Sequence, residues 1–339
     1  MIIVLKPRIS KRDERAVLDE IRKLGYTPHV MRGVARTVIG AIGDELSHAN
    51  LSALSAQFPK VVESVLPIQK RYKLVSREAH PANSTVRVGR HVIGGKKFQV
   101  MAGPCSVESE KQLLKTAEAV KAAGATILRG GAFKPRTSPY EFQGLGEKGL
   151  KLLAKARKET GLAVITELLS EHHAEMVAEY ADILQIGARN AQNFQLLIAA
   201  ARTGKPVLLK RGLSMKIEEW LLAGEYVLAN ENPNLMFCER GIRTFETYTR
   251  NTLDLSTIPI IKHESHSPIV IDPSQGAGRA DLVATMCKGA VAMGADALLI
   301  EVHPNPAEAW SDGAQQVTLE AFAKLMKELR PFIAAAGRD

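Results

Sequence analysis

Six cations, Arg129, Lys134, Arg136, Arg189, Lys210 and Arg240, fall at or just beyond the ends of short apolar runs, and Arg243 follows closely. Guanidinium groups grip phosphate and carboxylate oxygens in pairs, and lysine adds a compact point charge. Gathered in one pocket, these residues would neutralise more than one phosphate or carboxylate group. A second set comprises Cys105, Glu301 and Asp312, with Gln275 nearby in the inferred fold. A thiolate with carboxylates suits a divalent transition ion, whereas an amide is a neutral and weaker donor. Each residue also has an ordinary reading. A lone cysteine after a strand packs as a small hydrophobe. Asp312, in Ser311-Asp312-Gly313, suits a turn, and any single charged strand end can be a surface loop.

The elements that must position these groups recur every 25 to 35 residues from Phe98 onward. The expected strands are Gln99 to Ala102, Thr126 to Arg129, Ala163 to Thr166, Ile183 to Ile186, Val207 to Leu209, Leu235 to Cys238, Ile269 to Ile271 and Ala297 to Ile300. All but the sixth precede a clear helical pattern, for example Lys216 to Asn230 or Asp281 to Met293. Eight such units predict a (β/α)8 TIM barrel of the α/β class. The dinucleotide-binding alternative lacks its Gly-x-Gly-x-x-Gly after the first strand. In a barrel the carboxyl ends of the strands form the catalytic face. There lie Gly103-Pro104-Cys105-Ser106, Arg129-Gly130-Gly131, Glu167, Gly187-Ala188-Arg189, Lys210-Arg211-Gly212, Glu239-Arg240-Gly241, Asp272-Pro273-Ser274-Gln275 and Glu301-Val302-His303.

Ahead of the barrel, residues 1–68 read strand, helix, strand, strand, helix, strand: Ile2 to Lys6, Lys11 to Leu24, Thr27 to Met31, Arg36 to Ile42, Ser47 to Phe58 and Val61 to Pro67. This βαββαβ order predicts a small ferredoxin-like domain and leaves its ligand open. Residues 69–84 read as a polar linker. Residues 85–339 then hold the barrel and an N-terminal hairpin, with Thr85 to Arg90 and Lys97 to Met101 flanking a turn at His91 to Lys96 that contains Gly94-Gly95.

Composition narrows the function classes. The chain has 339 residues, 45% of them hydrophobic, enough to bury a large core. Absence of an apolar run of about 18 residues and of a signal-peptide pattern predicts a cytoplasmic protein without membrane association. The cysteines, Cys105, Cys238 and Cys287, have no CxxC spacing and are expected to be free thiols. A net charge of +9 could suit nucleic acid, but the basic residues are dispersed among acidic ones and only 5% of residues are aromatic. Anionic small molecules explain the excess better, and no nucleic-acid partner is expected.

The chain resembles the 3-deoxy-D-arabino-heptulosonate 7-phosphate (DAHP) synthases, in their short microbial form with an N-terminal ferredoxin-like regulatory domain. The resemblance spans nearly the whole chain. It rests on Ala102-Gly-Pro-Cys-Ser-Val-Glu108, Leu128-Arg-Gly-Gly-Ala-Phe-Lys-Pro-Arg-Thr-Ser138, Gln185-Ile-Gly-Ala-Arg-Asn-Ala-Gln-Asn-Phe194, Leu209-Lys-Arg-Gly212, Cys238-Glu-Arg-Gly-Ile-Arg-Thr-Phe245 and Glu301-Val-His-Pro304. It implies condensation of phosphoenolpyruvate with erythrose 4-phosphate, the first step of the shikimate pathway to aromatic amino acids. By resemblance, phosphoenolpyruvate is held by Arg129, Lys134, Arg189, Lys210, Arg240 and the Ala188 N–H. The phosphate of erythrose 4-phosphate falls to Arg136, Thr137 and Ser138. Lys134 and Glu167 manage protons and water, and a divalent ion (Mn2+, Fe2+ or Zn2+) polarises the aldehyde. Feedback inhibition by tyrosine or phenylalanine, bound between N-terminal domains of a homotetramer, is likewise implied.

One residue departs from the pattern. The metal set of such enzymes is cysteine, histidine, glutamate and aspartate; Cys105, Glu301 and Asp312 match, and Gln275 stands at the histidine position. The departure bears on metal dependence, with Gln275 left to coordinate through its oxygen or through a water. His263, His266 and His303 are no evident replacement. The sister family of 3-deoxy-D-manno-octulosonate 8-phosphate synthases, acting on arabinose 5-phosphate, is an alternative, against which Lys134-Pro-Arg-Thr-Ser138 argues because that family has a Lys-Ala-Asn-Arg-Ser type segment there. A catalytically degenerate regulatory homologue is the other alternative, suggested by Gln275 and opposed by the retained cations.

Overall fold

The computed structural model describes residues 1–33, 36–43, 51–66, 71–136 and 138–339. By internal contacts the chain divides into two units, one of Met1–Asn83 with His263–His266 and the other of Ser84–Lys262 with Ser267–Asp339.

In the first unit, β1 (Ile2–Leu5), β2 (Thr27–Arg32), β3 (Thr37–Ile42) and β4 (Val62–Leu66) form an antiparallel sheet in the order β2-β3-β1-β4. Central β1 runs between β3 and β4, the topology expected of a ferredoxin-like βαββαβ chain. The helix Lys11–Lys23 starts where the Ser10 side chain accepts the Asp13 N–H, with Asp13 and Glu14 in its first turn and Arg22 and Lys23 in its last. Both ends thus complement the helix dipole. Val17 and Ile21, one turn apart, bury against Ile3, Leu5, Ile39 and Leu54. Of the second expected helix, Leu54–Gln57 is helical, while Ser47 to Asn50 lie outside the described residues.

His266 is buried in this unit with Nε2 2.9 Å from the Leu74 carbonyl. Burial pulls its imidazole down to about 4 from 6.5. The unfolded chain therefore protonates this ring at a pH where the folded protein keeps it neutral. The stability it contributes is full above about 6.5 and is lost as pH falls toward 4, about 2 kcal/mol by pH 5. Urea unfolding at pH 8 and pH 5 should show this loss in the native chain and a much flatter dependence in His266→Gln; equal pH dependence in both would exclude the assignment.

In the second unit, eight parallel strands close into a barrel: β7 (Gln99–Gly103), β8 (Ile127–Arg129), β9 (Ala163–Glu167), β10 (Ile183–Ile186), β11 (Val207–Lys210), β12 (Leu235–Glu239), β13 (Ile269–Ile271) and β14 (Ala297–Glu301). The last pairs with the first in the register Ala297↔Gln99 to Glu301↔Gly103. Such strands are covered on both faces, which is why they are near-continuous apolar runs. Met101, Ile127, Ile165, Ile183, Leu208, Met236, Val270 and Leu299 fill the barrel interior. Val86, Val88 and Ile93, from the hairpin β5 (Val86–Val88) and β6 (His91–Ile93), pack onto the same cluster.

Two elements differ from expectation. The hairpin turns at Gly89-Arg90, since Val88 pairs with His91, and Gln99–Gly103 is barrel strand β7 instead of a hairpin arm. Gly89 has φ +54°, the glycine requirement of a two-residue hairpin turn, whereas Gly94-Gly95 follows β6. The sixth helix also exists, as Thr257–Glu264, but only after a connection of residues 240–256. It is short, with Pro259 near its start, so no sustained periodicity marks it. Among the described residues no helix is long and apolar enough to cross a membrane.

Candidate active site

The end of β13 illustrates how the fold aims side chains. Ile269, Val270 and Ile271 are buried, and the next residue, Asp272, caps the short helix Pro273–Ala277 by accepting the Gln275 N–H at 2.9 Å. Pro273 opens that helix, where its missing N–H costs nothing, and Gly278 at φ +69° ends it. The other oxygen of Asp272 accepts from the Lys210 ammonium at 2.6 Å. One buried carboxylate thus fixes both Lys210 and Gln275.

The remaining cations converge on the same end of the barrel. A cavity of about 600 Å³ is lined by Arg129, Lys134, Arg136, Arg189, Lys210, Arg240, Arg243 and Arg250, with only Glu141, Glu167 and Asp312 as lining carboxylates among the described residues. Eight cations against three anions leave a strong positive excess, the field that anionic ligands require. Arg129 Nη1 donates to the Pro104 carbonyl at 2.8 Å and to Glu301 at 3.0 Å. Its Nε is buried without a partner, as is Arg240 Nη1. Both residues line the cationic cavity, and a buried unmet donor costs stability unless a partner meets it. Burial also pulls the Arg240 guanidinium below its ordinary pKa, a cost that an anion would relieve.

Arg189 is exposed at the rim, and Ala188 sits at the start of the short helix Ala188–Asn190. Arg136 is held by Glu141 at 2.7 Å. Ser138 Oγ accepts the Tyr140 N–H at 3.3 Å within its own loop and is not among the cavity-lining residues. Thr137 lies outside the described residues. Glu167, at the end of β9, accepts from Gln185 Nε2 at 3.4 Å. A Cβ on Gly187 would stand 2.0 Å from the Glu167 carboxylate, so only glycine allows that approach.

On the other side of the cavity, ligand atoms of Cys105, Glu301 and Asp312 lie within 4.8 Å of one another and could hold a metal ion. Three protein donors are the number that catalytic metal sites supply. The three also bond to each other and to donors around them. Cys105 Sγ lies 3.4 Å from Asp312 Oδ2 and 3.0 Å from Lys134 Nζ. Gln275 Nε2 donates to Glu301 Oε1 at 3.0 Å and to Asp312 Oδ2 at 3.4 Å, and Gln315 Nε2 donates to Glu301 Oε2 at 2.7 Å. Burial first, and then the negative charge of Glu301, push the Cys105 thiol up to about 11. Lys134 is held above its ordinary value: burial works against its charge, and Cys105 and Glu301 outweigh it.

Several contributors escaped sequence reasoning. Arg250 binds Asp312 at 3.3 Å and Gln315 at 2.9 Å, and Asn251 Nδ2 donates to the Gln275 carbonyl at 2.9 Å. Both lie in the 240–256 connection, and a long connection without its own helix is itself a functional signal. His303 Nδ1 accepts the Asn305 N–H, which leaves Nε2 to donate to Glu108, and Glu108 accepts the Trp310 N–H. That chain steadies the loop leading to Asp312. Arg211, beside Lys210, is consumed by Glu239 and Asp254, each at 3.0 Å.

Comparison with known proteins agrees with this arrangement. Residues 76–335 match the DAHP synthetase I family, and residues 1–70 match the DAHP synthase ferredoxin-like domain. A phospho-2-dehydro-3-deoxyheptonate aldolase of Thermotoga maritima is 49% identical over 99% of both chains. The crystal structure of the Thermotoga maritima DAHP synthase aligns with TM-score 0.79 and 48% identity over 100% of this chain and 98% of that one. A 2-dehydro-3-deoxyphosphooctonate aldolase of Caulobacter vibrioides is more distant, 34% identical over 74% of this chain and 91% of that protein. The chain belongs to the DAHP synthetase I family.

Proposed function

We propose that this chain condenses phosphoenolpyruvate with erythrose 4-phosphate to give DAHP and phosphate, with the cationic cavity as its active site. The observation that carries the reading is the cavity itself, lined by eight cations and three carboxylates among the described residues, with Asp312 shared between that cavity and the three-donor cluster. Phosphoenolpyruvate is held by Arg129, Lys134, Arg189, Lys210, Arg240 and the Ala188 N–H. Arg136, Thr137 and Ser138 take the phosphate of erythrose 4-phosphate. Cys105, Glu301 and Asp312 would hold a divalent ion, which when bound supplies Lewis-acid polarisation of the aldehyde. Lys134, charged and buried, donates a proton to the aldehyde oxygen as carbon 3 of phosphoenolpyruvate bonds to the aldehyde carbon. Glu167 then takes a proton from the water that adds to carbon 2. The resulting hemiketal phosphate collapses to the ketone, breaking the bond between carbon 2 and the bridging oxygen. Phosphoenolpyruvate labelled with 18O at that oxygen should therefore release labelled phosphate; unlabelled phosphate would place water attack on phosphorus and defeat this chemistry.

The ferredoxin-like unit is assigned to feedback inhibition by tyrosine or phenylalanine, bound between such units in a homotetramer. Its support is the match of residues 1–70 to the DAHP synthase ferredoxin-like domain. A chain lacking residues 1–68 should keep its activity and lose inhibition by both amino acids, and inhibition that survives the deletion would refute the assignment.

A further inference from the structure

Gln275 touches both halves of the site at once. Its Oε1 accepts from Arg240 Nη2 at 2.8 Å, while its Nε2 donates to Glu301 at 3.0 Å and Asp312 at 3.4 Å. Those two carboxylates are members of the three-donor cluster, and Arg240 is a cavity cation with a second nitrogen still unmet. The orientation of the amide is forced by its neighbours. Turned over, it would set an NH2 group against a guanidinium and an oxygen against two carboxylates, losing every one of these bonds. As it stands, the amide presents N–H groups to the carboxylates, and a donor in that wedge competes with any cation there.

We infer that Gln275 is a positioning residue that couples the cation cluster to the anion subsite: an anion that takes Arg240 Nη2, the N–H now given to Oε1, frees the amide to turn its oxygen toward the Cys105, Glu301 and Asp312 cluster. With Arg240 free of anion, turning the amide sacrifices the Arg240 bond and creates a donor-donor clash. Once an anionic oxygen takes that Nη2 N–H and also accepts from the turned NH2, the cost disappears, and the amide oxygen would be a further donor beside Cys105, Glu301 and Asp312. Linkage makes the effect reciprocal: the ion must tighten the anion by the same factor that the anion tightens the ion. The inference rests on the proposed placement of phosphoenolpyruvate and metal, and it adds a dependence of each on the other that runs through one amide.

The test measures Mn2+ affinity of the full chain by competition with a chelator, with and without saturating phosphoenolpyruvate, in the native protein and in Gln275→Met. Methionine has similar length, cannot donate to the carboxylates and is only a weak acceptor toward Arg240. Coupling in the native protein should be about fivefold or more, and it should shrink at least threefold in Gln275→Met, whose affinity without phosphoenolpyruvate equals or exceeds the native one because the competing N–H groups are gone. Equal coupling in the two proteins would overturn the role of Gln275 while leaving the two binding sites standing. Failure of the native protein to bind Mn2+ at all would instead overturn the metal site and the inference together. Gln275→Asn, which keeps the amide but shortens its reach, provides a check on folding and should also lose coupling.

Discussion

Lys134→Ala should lower kcat by about a thousandfold or more, in the range that positioned acid-base groups supply. The buried Lys134 ammonium lies 3.0 Å from the Cys105 sulfur, and the residue also lines the cavity. Its removal deletes the proton donor and one of the cations that hold phosphoenolpyruvate. The fold should tolerate the change, because burial already keeps the Cys105 thiol protonated and no bare thiolate is left behind. A steady-state comparison with a parallel thermal melt decides the matter. A kcat within tenfold of the native value, with only KM raised, would make Lys134 a binding cation and not the acid.

Arg129→Ala should damage stability as well as binding. Its guanidinium is 5% exposed and pairs with Glu301, which is 1% exposed. Removing one partner of a buried pair leaves the other charge uncompensated, a loss of about 3 to 5 kcal/mol. Gln275 and Gln315 still donate to Glu301, which favours the lower end of that range. Phosphoenolpyruvate KM should rise at least about a hundredfold, since charged hydrogen bonds within a desolvated site are lost. Arg129→Lys should recover little of it: an ammonium cannot reach the Pro104 carbonyl and Glu301 and still aim a further donor into the cavity. Urea unfolding and initial rates test the two halves separately, and full rescue by lysine would show that charge alone suffices.

The barrel was legible because each strand is apolar on both faces and ends in a polar tip, as in Ile269-Val270-Ile271-Asp272. The ferredoxin-like unit was legible from Lys11–Lys23, whose cap and charges agree with its buried stripe. What escaped depends on distances that no spacing encodes. Arg250 reaches Asp312 across a connection with no periodicity, and Gln315 reaches Glu301 from a loop. The sixth helix was obscured by Pro259, and the hairpin by two glycine signals, of which Gly89 makes the turn and Gly94-Gly95 does not. Gln275 was legible as a departure, but the orientation of its amide is set by Arg240 on one side and by Glu301 and Asp312 on the other, neighbours 26 to 37 residues away in sequence.

The central claim, that this cavity joins phosphoenolpyruvate to erythrose 4-phosphate, is tested most directly by the choice of aldose. Phosphate release from phosphoenolpyruvate should be measured with erythrose 4-phosphate and with arabinose 5-phosphate, in the presence of Mn2+. The expected kcat/KM is at least about a hundredfold higher for erythrose 4-phosphate; equal rates, or preference for arabinose 5-phosphate, would contradict the account.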